Sequence, residues 1–92
     1  MKMLSEFKKK QSGIIQKFEK PSLMSFTNAD FNDIEARLLE MGFIEGAKVE
    51  VLHKGMWGGE PIAIRINNNN SMVALRIREA SVILVDESCS NA

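Results

Sequence analysis

Arg37-Leu38-Leu39-Glu40-Met41-Gly42-Phe43-Ile44-Glu45-Gly46 contains the end of a helix, its stop and the approach to a sheet. Just upstream, Phe31, Ile34, Leu38 and Met41 follow one another at steps of three, four and three residues, which stacks them on one stripe of an α-helix. Leu39 widens one shoulder of that stripe, and the whole face is expected to be buried. Asn32 is a good N-cap whose amide Glu35 can reach, so the helix is expected to start near Asn32. Gly42 suits the left-handed residue that ends a helix, and Phe43 beyond it can touch Leu38, which predicts a Schellman stop after Met41. Gly46 makes a second turn, and from there the pattern changes from helical to alternating.

Downstream, Lys48 to Lys54 alternates, with Val49 and Val51 on one face, and His53 falls on that same face by parity. Gly55 to Gly59 is a glycine-bounded hairpin connection, and Pro61 to Ile66 resumes with Ile62, Ile64 and Ile66 inward. Asn67 to Asn70 predicts a turn, because asparagine tolerates left-handed backbone. Met72 to Ile77 is the next strand, Glu79-Ala80 a short turn, and Ser81 to Val85 a closing strand buried on both sides. Upstream of the helix, Ser12 to Phe18 is the first strand. Glu19 to Asn28 is a connecting loop that Leu23, Met24 and Phe26 are expected to pin down. Five short strands and one helix cover both faces best by curling into a small barrel, with the helix over one open end.

Composition narrows the function. Ninety-two residues with 45% apolar side chains make one small domain over 1–92, with a core of about 4–86 and a loose tail over 87–92. Twelve basic and twelve acidic residues cancel, which argues against nucleic acid as a partner, and Lys8-Lys9-Lys10 is expected to be a solvated turn. No apolar run reaches the roughly 20 residues of a bilayer span, so a cytoplasmic chain without membrane insertion is expected. Cys89 is the only cysteine and lies in the polar tail, so neither a disulfide nor a zinc knuckle is expected.

No nucleophile–base set or phosphate loop is present, and the chain is expected not to be an enzyme. His53 with Glu50, Glu60 or Glu79 is the one imaginable metal cluster, and a hydrogen-bonded structural histidine is the commoner reading, so no metal ligand is assigned. Met56 and Trp57 stand outside the alternation at a hairpin tip. They are either folded back over the barrel mouth or exposed to anchor a partner. Arg37 and Glu40 on the helix, with Arg65, Arg76 and Arg78, could form a polar rim around such a contact.

Arg37-Leu38-Leu39-Glu40-Met41-Gly42-Phe43 followed by Gly46, Val49-Glu50-Val51, Gly58-Gly59-Glu60-Pro61-Ile62, Leu75-Arg76 and Glu79-Ala80 closely resembles the small ferrous-iron-transport protein A (FeoA) family over about residues 4 to 86. Leu38, Met41, Gly42, Gly46, Gly59 and Pro61 carry the structural part of the match. The resemblance implies a mainly β fold, a small SH3-like barrel of about five strands with one helix between the first and second. It further implies a cytoplasmic supporting role beside the membrane GTPase-permease FeoB in bacterial ferrous iron uptake, with no required cofactor and iron association at family level only. An alternative is a free-standing relative of the SH3-like regulatory domain of iron-dependent repressors. The chain departs from the family at Lys9-Lys10 and Glu45-Gly46, where Pro-Gly pairs are common. It also departs in a longer loop over Glu19 to Phe31 and in the Asn67–Asn70 turn, which normally contains glycine.

Overall fold

In chain order the elements are β1 (Lys2–Met3), a 3-10 turn (Leu4–Glu6), β2 (Ser12–Phe18), α1 (Asn28–Glu40), β3 (Lys48–Gly55), β4 (Gly59–Ile66), β5 (Ser71–Leu75), α2 (Ile77–Ala80) and β6 (Ile83–Asp86). They come from a computed structural model that describes residues 1–21, 26–66 and 71–87. Leu23, Met24, the Asn67–Asn70 turn and Cys89 lie outside the described residues.

One antiparallel sheet has the order β1-β6-β2-β3-β4-β5. The expected β2, β3 and β4 are in place, and the expected closure is not: among the described residues no ladder joins β1 to β5. A two-residue β1 offers too little backbone for a second ladder. β1 is itself an unexpected strand, since two residues are too short to show a period.

The helix stop is as read. Phe43 N donates to Leu38 O at 3.0 Å, Gly42 N donates to Leu39 O at 3.1 Å, and Gly42 has φ +101°. These are the two bonds of a Schellman motif, and they satisfy carbonyls the helix would otherwise leave open. Leu38 and Phe43 are fully buried beside each other in the core cluster. The helix start is a correction. Thr27, not Asn32, is the N-cap: its Oγ1 accepts from Asp30 N at 3.0 Å, while Thr27 N donates to Asp30 Oδ2 at 3.4 Å. Both sequences offer a capping box, and the earlier one prevails because a start at Asn28 brings Phe31 into the helix and onto the core. Leu39 is a second correction: it is 46% exposed, so the buried stripe is narrower than expected.

The end of the chain also differs. β5 stops at Leu75, and Ile77 opens the four-residue α2 where a strand and a turn were expected. Glu79 explains the change, since its Oε1 accepts from Arg76 N at 2.9 Å and caps a helical turn. The closing strand accordingly starts at Ile83, with Ser81 and Val82 buried in the approach to it. Leu4 and Phe7, isolated apolar points in a polar segment, are fully buried.

Candidate partner-binding surface

The hairpin between β3 and β4 is built on a bulge. Val51 faces Ile64 and His53 faces Ala63, so Leu52 is an extra residue in β3. That insertion flips the parity of His53 and Lys54, the residues before the next register shift at Gly55. His53 is therefore exposed beside outward-facing Ala63 instead of joining Val49 and Val51, which corrects the expected placement. The imagined metal cluster is dispersed as well. Glu50 lies 3.6 Å from Arg65, Glu60 accepts from Ile77 N, and Glu79 caps α2. Among the described residues no group of three or more His, Cys, Asp or Glu could hold a metal ion.

Beyond the bulge, Gly55 lies so near the Glu60 carbonyl that a Cβ there would collide with it. Gly58 and Gly59 have φ of +67° and +90°, where side-chain-bearing residues are strained. The Glu60–Pro61 peptide is cis. Trp57 and Glu60 form a single β-bridge, with Glu60 N donating to Trp57 O at 3.3 Å. Glu60 Oε2 in turn accepts from Ile77 N at 2.6 Å, which fastens the hairpin base to the start of α2. The backbone of the tip is thus held by hydrogen bonds. Its side chains are not packed: Met56 is 90% exposed and Trp57 84%. Of the two sequence alternatives, the lid over the core is ruled out.

Arg37 projects from α1 and meets α2, its Nη1 donating to Glu79 Oε2 at 3.1 Å. Arg78 reaches back to Asp30 at 3.5 Å and stacks over the Phe26 ring at 4.1 Å, which holds the segment before α1 against α2. Between α1 and the β5–α2 segment runs an open cleft of about 680 Å³. Ile34, Met41 and Leu75 line it with apolar atoms, and Asp30, Asp33, Arg37, Arg76, Arg78 and Glu79 with charge. Pro61 lines the same cleft while forming the base of the hairpin, so the Arg37 side and the Met56–Trp57 tip adjoin through Glu60–Pro61. Sequence reasoning singled out Arg37 and the tip separately. The cleft joining them depends on α2, which no sequence period announced.

A family model described as the FeoA domain matches residues 2–87. The chain belongs to the FeoA family. A zinc-complexed FeoA from Stenotrophomonas maltophilia, described as a procaryotic SH3 domain protein, is similar at 31% identity with a TM-score of 0.71, over 96% of this chain and 93% of that one. FeoA from Chlorobium tepidum shares the fold at 23% identity and a TM-score of 0.71, over 98% of this chain and 73% of that one. So does a manganese-dependent transcriptional repressor complexed with manganese, at 17% identity and a TM-score of 0.74, where this chain covers 94% of itself and 36% of the repressor. A search of curated proteins gave no match. Membership places this FeoA-family chain in iron transport and in the SH3-like fold that the sequence resemblance implied. Among its described residues no helix is long and apolar enough to cross a membrane.

Proposed function

We propose that this FeoA-family protein is a non-enzymatic, cytoplasmic accessory protein of bacterial ferrous iron uptake. It docks on the FeoB-type GTPase-permease through Met56 and Trp57, with Arg37 on the adjoining rim. The carrying observation is the tip itself, two large apolar side chains almost fully exposed on a backbone held by hydrogen bonds. A rigid base beneath exposed aromatic and thioether groups lowers the ordering cost of binding, and tryptophan is enriched among residues that dominate interface energies. The Stenotrophomonas FeoA, described in connection with ferrous iron transport activation, supports the same reading by likeness.

The test is a pull-down of the transporter's cytoplasmic part by wild-type and Trp57→Ala protein. The expected loss is about 2 kcal/mol or more of affinity, roughly thirtyfold. Undiminished capture by Trp57→Ala would remove the tip from the interface. The repressor likeness supports a second reading, a free-standing SH3-like regulatory domain. Capture of a transcription regulator in place of the transporter would favour that reading.

A further inference from the structure

The chain's charges sum to zero, and Arg37, Arg65 and Arg78 pair with acids, but one run of lysines does not. Lys8, Lys9 and Lys10 are exposed in a turn closed by Gln11 N donating to Lys8 O at 3.0 Å. Lys10 N donates to Val51 O at 2.6 Å and Val51 N to Gln11 O at 2.9 Å, so the lysine turn lies against the middle of β3. Lys54, half-buried, has its Nζ donating to Ser5 O at 3.3 Å. Lys54 precedes Trp57 by three residues, about 10 Å of extended chain.

Among the described residues none of these four lysines forms an ion pair. Of the carboxylates nearest in the chain, Glu6 accepts from Met3 N at 3.0 Å, Glu50, opposite Ser12 in the neighbouring strand, lies 3.6 Å from Arg65, and Glu60 accepts from Ile77 N. Four other acids, Asp30, Asp33, Glu35 and Glu40, sit on α1. Lys8, Lys9 and Lys10 are therefore exposed cations without an ion pair, and the exposed Met-Trp tip stands five to six residues further along the chain from the Val51 they adjoin.

We propose that the lysine turn and the hairpin tip adsorb together to an anionic lipid surface, the lysines meeting headgroup phosphates while Trp57 enters the boundary between headgroups and acyl chains. Tryptophan favours that depth, and basic side chains beside exposed apolar ones are what interfacial binding uses. A phosphate-only ligand would engage the lysines and leave Met56 and Trp57 in water, so the apolar tip favours lipid over nucleic acid. The inference goes beyond transporter docking and needs no partner protein; the two share only the exposed tip. The fold thereby orients the protein on the bilayer surface, a role distinct from spanning it.

Trp57 is the only tryptophan and there is no tyrosine, so intrinsic fluorescence of the full chain reports the tip directly. With phosphatidylglycerol-containing vesicles at low salt, Trp57 emission is expected to shift to the blue and to be quenched by brominated acyl chains. Pure phosphatidylcholine vesicles should give neither effect. Raising the salt shortens the screening length and should release the protein. Lys8→Gln with Lys9→Gln, which spares left-handed Lys10, is expected to lower the partition coefficient about thirtyfold, on roughly 1 kcal/mol per lysine near an anionic surface.

Three results would each overturn the proposal: no binding to anionic vesicles, equal binding to neutral ones, or binding with unshifted Trp57 emission. Duplex DNA bound at a salt where vesicles are not would assign the lysines to nucleic acid and equally end it. The lipid-free pull-down of the transporter's cytoplasmic part, repeated with the lysine variant, keeps the two readings apart. Capture is expected to persist there while vesicle binding falls, and parallel loss of both would place the lysines in the protein contact instead.

Discussion

The helix stop and the hairpin tip are both glycine-associated stretches with large apolar residues, and the fold treats them in opposite ways. At the stop, Gly42 turns the chain so that Phe43 closes onto Leu38 and both vanish from solvent. At the tip, Gly55, Gly58 and Gly59 turn the chain so that Met56 and Trp57 are carried away from the core. The difference lies in what stands behind the turn. A helix stop has its own last turn to pack against, one residue from Gly42. The tip of a two-stranded hairpin, beyond the Glu60 tie to α2, has only its own backbone. Similar composition therefore marks a structural lock in one place and a contact surface in the other.

The largest expected effect is on the buried side of that contrast. Phe43→Ala should cost about 3–5 kcal/mol in urea unfolding, the usual range for removing a buried aromatic ring. A cost under about 1 kcal/mol would show that the stop is not a lock. Gly42→Ala is predicted to destabilise by about 1–2 kcal/mol, because φ +101° forces a Cβ into a disfavoured conformation. An unchanged denaturation midpoint would remove the glycine argument.

The N-terminal turn sharpens the comparison with a stabilising change. Lys10 has φ +71°, a conformation in which a glycine is at ease, and the turn from Lys8 to Gln11 has it in the third position. Lys10→Gly is expected to raise stability by about 0.5–1 kcal/mol, strain relief being partly offset by glycine's greater freedom when unfolded. A lower midpoint would mean that the Lys10 side chain contributes contacts of its own. The smallest effect is expected at the tip. Trp57→Ala should move the unfolding free energy by less than about 0.5 kcal/mol, as at other exposed positions. A drop of several kcal/mol would turn the tip back into a core element and would undercut both functional readings.

Periodicity and turn chemistry made much of the fold legible. The Ile62, Ile64 and Ile66 row, the Val49 and Val51 pair, the Leu38 stripe and the Gly42 stop all stand where they were expected, because each is specified by neighbours within a few residues. The helix start at Thr27 was legible in principle. Its box partner Asp30 follows three positions on, and two competing caps could be ranked only by what Phe31 packs against.

What the amino-acid sequence by itself determined is the kind of element at most positions, the helix stop, the family, and the separation of Met56 and Trp57 from the alternating rows. Those features are local, and a glycine or a two-residue period acts through the chain's own next few atoms. Tertiary structure alone decided that the sheet stays open, that the Leu52 bulge turns His53 outward, and that the Glu60 carboxylate of β4 holds the start of α2 at Ile77 N. It also decided that Trp57 faces solvent and that the lysine turn lies beside the same hairpin. Each depends on backbone or side-chain partners from another strand or on the volume left after the core is filled, and no pattern along one segment records either.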